Sequence, residues 1–278
     1  MSSSPWLDDH VHPLLEAGRR VLLVEGEDDQ KVYEAWLDKL AGGAGSGRVP
    51  IVVPAGGKTK VLQHIEALRD EADAGNVHGL VDRDEWDDAE SAARMAELSG
   101  LRVNPQRHCL ESYFCDPSEL RAALARSAVP NGDRAARAIA LAIRTGLDGW
   151  IGHWALWTTL ERLKNRMSDA AYPNAFHQGL TLPTDSVIKA KLKEWAEMID
   201  VTSILKNYRA LRKAARREPN EQQVRSRIYA KNAFPQVVLI ELNKLGAEIN
   251  SDEWLWQLAE WFPEVPDDIG LILQALVV

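Results

Sequence analysis

The sequence predicts an α/β fold: a mainly parallel sheet flanked by helices in residues 1–117, followed by an α-helical region in residues 118–278. Three observations lead there. Short apolar runs at 20–24, 49–53, 77–81 and 101–103 are bounded by Gly, Pro or acidic residues, the pattern of strands buried on both faces. Stretches with apolar residues at helical spacing separate these runs, and such alternation implies right-handed crossovers with helices covering the sheet. After Pro117 the strand runs stop and helical periodicity dominates.

The elements follow in order. Residues 20–24 form the first predicted strand. Asp28 and Asp29 then open a helix with Val32, Trp36, Leu37 and Leu40 on one face, and acidic residues in a first turn favour the helix dipole. The Gly-rich stretch 42–47 is a flexible connection to the second strand, 49–53. A helix over 58–72 places Val61, His64, Ile65 and Leu68 together. Strand 77–81, helix 87–98 and a fourth strand starting at 101–103 complete the sheet region. Beyond it, helices are expected at 118–128, 133–145, 151–167, 184–199, 201–217, 222–245 and 252–262. Trp150, Trp154 and Trp157 share helical spacing, which favours core packing over a base-stacking platform.

Two acidic clusters sit where predicted strands end. Glu25 follows Val21-Leu22-Leu23-Val24, and Asp82-Arg83-Asp84 follows the third strand, 57 residues later. The carboxyl ends of neighbouring parallel strands line one crevice, so residues this distant can converge. Crowded carboxylates repel unless a hard cation sits among them, which points to a metal site and to phosphate chemistry. In an extended segment Asp82 and Asp84 would point the same way, with Arg83 turned elsewhere. Gly26 leaves room for a phosphate or metal at the backbone. Asp29 can turn to the same spot, whereas Asp28 is expected to cap the helix. The segment Pro54-Ala55-Gly56-Gly57-Lys58-Thr59 is not a phosphate-binding Walker loop, because the first Gly of that motif would fall on Val52. No nucleophile elbow, His-Glu-x-x-His zinc motif or dinucleotide fingerprint appears.

Composition sets the outer bounds. Lys and Arg number 33 against 41 Asp and Glu, net −8, which argues against a purely electrostatic nucleic-acid coat. Residues 1–120 carry net −11, yet residues 189–231 hold 12 basic and 5 acidic residues, net +7. Arg209, Arg212, Lys213, Arg216 and Arg217 share helical spacing there, forming either a solvated face or a track for a nucleic-acid backbone or an acidic partner. Cys109 and Cys115 fit no metal pair or disulfide framework and are expected as free thiols. The first residues lack a secretory pattern and the apolar run 269–278 is too short for a bilayer, so a cytoplasmic protein without a membrane partner is expected.

Glu25-Gly26 and Asp82-Arg83-Asp84, in that order and strand context, resemble the TOPRIM domain, the metal-binding module of topoisomerases, primases, ribosomal-RNA maturases and OLD nucleases. The resemblance covers residues 20–98 and implies Mg²⁺, with Mn²⁺ as an alternative, held by Glu25, Asp82 and Asp84. Asp29 stands where OLD-type members place a further acidic ligand. Gly56-Gly57-Lys58 is similar to the Gly-Gly-Lys turn of OLD-like members, and Lys58 either reaches a phosphate or stands solvated at a helix start. Arg107-His108-Cys109-Leu110-Glu111-Ser112-Tyr113 resembles the Arg-His-x-Ile-Glu-Asn-Tyr stretch of a bacterial TOPRIM-like family, with Ser112 where Asn is usual; Glu111 would complete the metal site. His108 is either a proton shuttle or a structural histidine. That family includes the nuclease partner of ATPase-containing anti-phage systems of the PARIS type.

The resemblance therefore implies a metal-dependent nuclease acting on DNA or RNA, transfer RNA included, and regulated by a partner ATPase. Glu25, Asp82, Asp84 and Lys58 would be catalytic. Two alternatives stay open: a housekeeping RNA-maturation ribonuclease, and a catalytically silent module docking on an ATPase. A homodimer stays open as well.

Overall fold

The computed structural model describes residues 4–42, 49–127, 131–170, 184–244 and 253–277. Two short helices, α1 (Pro5–His10) and α2 (His12–Glu16), come first, each with Pro in its opening turn, where a missing N–H costs nothing. Their buried residues Leu7, Val11 and Leu15 are too few to mark a helical period, so no element is predicted there.

The sheet region then runs β1 (Val21–Val24), α3 (Glu27–Ala41), β2 (Ile51–Pro54), α4 (Lys58–Leu68), β3 (Val77–Val81), α5 (Asp88–Glu97) and β4 (Leu101–Val103). Among the described residues these strands form one all-parallel, four-stranded sheet in the order β2-β1-β3-β4. Val21 stands opposite Ile51 on one side and Val77 on the other, and Gly79 stands opposite Leu101. Every residue of β1 is buried. Leu22 and Val24 enter one core and Val21 and Leu23 the other, which is why the strand reads as an unbroken apolar run. Gly79 lets α4 approach β3: a Cβ there would lie 2.8 Å from Val61 Cγ1 and 3.1 Å from Ile65 Cγ1.

Beyond the sheet lie α6 (Glu111–Cys115), α7 (Pro117–Arg126), α8 (Gly132–Asp169), α9 (Asp185–Met198), α10 (Val201–Ala215), α11 (Asn220–Ser226) and α12 (Ala230–Ala233). A π-helical segment Phe234–Val238, α13 (Leu239–Asn243), α14 (Trp254–Trp261) and α15 (Asp267–Gln274) follow. The boundary expected near residue 117 is bridged by a shared core: Leu22, Val24 and Trp36 belong to the same buried cluster as Ile139, Ile143, Phe234, Leu258 and Ile269. Trp36 stacks on Phe114 and Phe262 at 6.1 Å each. Lys39 adds a polar tie, its ammonium donating to the carbonyls of Ala259, Glu260 and Phe262 at 2.6–2.8 Å.

Two helix predictions change. The expected helices 133–145 and 151–167 are one 38-residue helix, α8. Its buried stripe Ile139, Ile143, Leu147, Ile151, Trp154 runs straight through Gly146 and Gly149. Each glycine costs a helix about 1 kcal/mol, less than burying the side chains on either side of it stabilises. Conversely, the helix expected over 222–245 is broken at Arg227–Tyr229, and the chain around Pro235 adopts π geometry, because proline cannot supply the ladder N–H. Residues 43–47 of the predicted flexible connection, and positions 128, 245 and 252, lie outside the described residues.

Candidate metal centre

The sheet order places the ends of β1 and β3 side by side, and the predicted acids meet there. A carboxylate oxygen from each of Glu25, Asp82 and Asp84 lies within 4.8 Å of the other two. Glu25 is fixed twice: its Oε1 accepts from the Asp82 amide at 2.8 Å, and its carbonyl accepts from the Gly56 and Gly57 amides at 3.0 and 2.7 Å. The turn that carries Lys58 is thereby strapped to the end of β1. Gly57 has φ 118°, a conformation only glycine adopts without strain.

Asp84 reaches the cluster by a different route from the extended one expected. It adopts left-handed backbone geometry, φ 51°, costly for a residue with a side chain. His108 holds it there from both sides: its carbonyl accepts from the Asp84 amide at 2.8 Å, and its Nδ1 lies 3.0 Å from the Asp84 carbonyl. A carbonyl only accepts, so Nδ1 carries the proton. Burial pulls the His108 imidazole down to about 4, keeping it neutral, and its ring meets Trp157 edge-on at 5.1 Å. These contacts give His108 a structural role, a backbone clamp on Asp84. Arg83 turns away as expected, donating to the carbonyls of Trp86 and Pro105 and pairing with Asp88.

Lys58 joins the cluster. Its ammonium lies 3.5 Å from Asp84 Oδ2 and 3.8 Å from Glu85, donates to the Arg83 carbonyl, and sits 3.7 Å over the Trp86 ring. A second cation comes from the helical half and is not singled out by the sequence. Lys231, in the first turn of α12, approaches Asp84 Oδ1 to 3.1 Å and Asp82 Oδ2 to 3.5 Å. It is one of twelve basic residues in its stretch, and nothing local marks it out. The break at Arg227–Tyr229 that precedes α12 and turns Lys231 inward carries no Gly or Pro to mark it.

The remaining predicted ligands split. Glu111 opens α6 and shares a donor set with Asp82 and Cys109, again within 4.8 Å. Asp29 belongs to neither set: its Oδ2 accepts from the Gly26 amide at 2.9 Å, capping α3. That corrects the expectation for Asp28, which is exposed and makes no such bond; N3 geometry, not the first acidic residue, selects the cap. Asp29 still feels the cluster. Burial, then Glu25 and Glu111, push its carboxyl up to about 7. Burial, reinforced by neighbouring carboxylates, also raises Glu25 and drives Asp82 well above the usual range. Asp84 goes the other way: burial would raise it, but Lys231 and Lys58 outweigh burial and hold it low. For Lys231, burial lowers and the Asp82 and Asp84 carboxylates raise, with a net rise that keeps it charged.

Glu25, Asp29, Asp82, Glu111 and Lys231 line a cavity of about 650 Å³ at the end of the sheet. The donor chemistry fits a hard divalent ion: Asp82 Oδ1 is buried and has no hydrogen-bond partner, and a cation among the carboxylates would satisfy it. Arg209, Arg212, Lys213, Arg216 and Arg217 do not join this cluster. With Tyr208 they line a shallow cavity along α10, and Arg212 and Arg216 both pair with Asp148 of α8. The opposite side of α10, Leu211 and Ala214, faces a groove walled by Glu85, Trp86 and Arg162. Among the three tryptophans, Trp154 is buried as expected, with Arg227 5.1 Å over its ring, while half-buried Trp157 walls His108 and Tyr229. Among the described residues no helix is long and apolar enough to cross a membrane. No protein-family model matches the chain, and no curated protein matches it, so the site stands on its own geometry.

Proposed function

We propose that this chain is a Mg²⁺-dependent nuclease of the TOPRIM kind, hydrolysing phosphodiester bonds of DNA or RNA. The observation that carries the reading is the convergence of Glu25, Asp82 and Asp84 at the carboxyl ends of adjacent parallel strands, flanked by Lys58 and Lys231. A divalent ion bound there would supply Lewis-acid stabilisation of phosphate charge and activation of water. The chain's own residues do the rest. The Glu25 carboxylate is oriented by the Asp82 amide, and the Asp84 carboxylate by the His108 clamp. Lys58, held between Trp86 and Asp84, offers a fixed positive charge to a phosphate oxygen, and Lys231 offers another from α12. Arg209, Arg212, Lys213, Arg216 and Arg217 would follow the backbone of a longer nucleic acid. The sequence resemblance supports the biological setting, an effector of an anti-phage system restrained by a partner ATPase.

The test is cleavage of plasmid DNA, transfer RNA and ribosomal-RNA precursor with Mg²⁺ or Mn²⁺. Glu25→Gln and Asp82→Asn should each abolish metal-dependent cleavage with the circular-dichroism spectrum unchanged; equal cleavage by the variants would remove the proposal. One observation favours a second reading, a silent docking module: Lys231 already supplies Asp82 and Asp84 with a protein cation. Such a module would bind neither Mg²⁺ nor Mn²⁺ in calorimetry.

A further inference from the structure

A second donor set lies against the first. Cys109, fully buried on the turn between β4 and α6, places its sulfur within 4.8 Å of one carboxylate oxygen each from Asp82 and Glu111, which are themselves that close. Ser112 fixes this turn: its Oγ accepts from the Cys109 amide at 3.3 Å and lies 3.6 Å from the sulfur. Two oxygens of these carboxylates are buried with no hydrogen-bond partner, Asp82 Oδ1 and Glu111 Oε2. Asp82 is 6% exposed, and Lys231 engages its other oxygen, Oδ2. Orphaned buried acceptors are rare, because each forfeits its hydration without compensation. A carboxylate–thiol–carboxylate set in which both carboxylates carry an orphaned oxygen matches a cation with affinity for sulfur. Mg²⁺ does not qualify, since it takes oxygen ligands; ions of the zinc class accept thiolate and carboxylate together.

We propose that Asp82, Cys109 and Glu111 form a second metal site, selective for a thiophilic divalent ion of the zinc class and joined to the Glu25–Asp82–Asp84 set through Asp82. The inference rests on the metal-centre reading above, because the two sets share that residue. On binding, the Cys109 thiol gives its proton to solvent and a sulfur–metal bond forms; water from the adjoining cavity fills the remaining coordination positions.

Cd²⁺ is the probe, because cadmium–thiolate bonding produces an ultraviolet charge-transfer band that oxygen ligands do not give. Titration of the full chain is expected to raise this band to a stoichiometric end point. Cys109→Ser should abolish it and Cys115→Ser should leave it intact. Glu111→Gln should weaken the apparent Cd²⁺ affinity by about tenfold or more. If Cys109→Ser fails to fold, the Glu111→Gln titration decides. The proposal is overturned by a wild-type chain with no band, by a band that survives Cys109→Ser, or by a band whose affinity ignores Glu111→Gln. Calorimetry with Mg²⁺ runs alongside. Mg²⁺ binding without the cadmium band sinks only this inference, whereas the band without Mg²⁺ binding supports it and sinks the Mg²⁺ reading.

Discussion

Lys231→Met removes one charge and little volume, and its consequence can be worked from the geometry. The ammonium lies 3.1 Å from Asp84 and 3.5 Å from Asp82, whose side chains are only 9% and 7% exposed, while Lys231 itself is 34% exposed. Removing one partner of a fully buried ion pair costs about 3–5 kcal/mol, and of an exposed pair about 0–1. A half-buried cation between two buried carboxylates falls between, at about 2 kcal/mol. For a chain of this size that lowers the melting temperature by about 4–8 °C. The loss should depend on divalent ions. With Lys231 gone, the carboxylates lose the protein's own competitor, so Mn²⁺ should bind the variant more tightly and stabilise it more than wild type. An ion at a hundred times its dissociation constant contributes about 2.7 kcal/mol, enough to offset the deficit. Thermal unfolding of both proteins in chelator and in Mn²⁺ is the assay. A deficit of equal size in both buffers would refute the claim that Lys231 and a metal compete for the same oxygens; no deficit in chelator would refute the ion pair itself.

Two further expectations concern His108 and Glu119. His108→Ala removes the imidazole half of the clamp on Asp84 and keeps the backbone half, so Mn²⁺ affinity should fall by about 10–100-fold, as when other groups that orient metal ligands are lost; an unchanged titration would mean the bond to the residue-108 carbonyl holds Asp84 unaided. Glu119 lies against buried Arg107, and burial pushes its carboxyl up to about 7 despite that arginine. Because the folded value lies above the unfolded one, its contribution to stability is complete below the unfolded value, about 4.3, and is lost as pH rises through about 7. Urea titrations should therefore show Glu119→Gln flattening the fall in stability between those limits, and parallel slopes for variant and wild type would contradict the assignment.

The sheet was legible because its physics is local. Buried parallel strands leave continuous apolar runs, and the runs at 77–81 and 101–103 match β3 and β4 residue for residue. Parallel topology then brought Glu25 beside Asp82 with no further information. What escaped the sequence is non-local. Asp84 faces the cluster through a left-handed turn imposed by His108, 24 residues away. Lys231 arrives from 147 residues beyond Asp84, by way of a helix break at Arg227–Tyr229 that periodicity smooths over. Cys109 is expected from sequence only as a free thiol, and the donor set proposed for it depends on α6 setting Glu111 beside Asp82. The merging of two predicted helices into α8 has the same cause: glycine propensity is a local cost, whereas the stripe from Ile139 to Trp154 is stabilised by partners far away in sequence.

The proposed chemistry requires carboxylates from the ends of β1 and β3 to cage a divalent ion. Anomalous diffraction from a crystal grown with Mn²⁺ tests it most directly. A strong anomalous peak is expected, bounded by the oxygens of Glu25, Asp82 and Asp84 and absent from crystals of Asp82→Asn. A well-ordered cluster with no peak, or a manganese ion bound elsewhere while Lys231 keeps its place against Asp84, would contradict it.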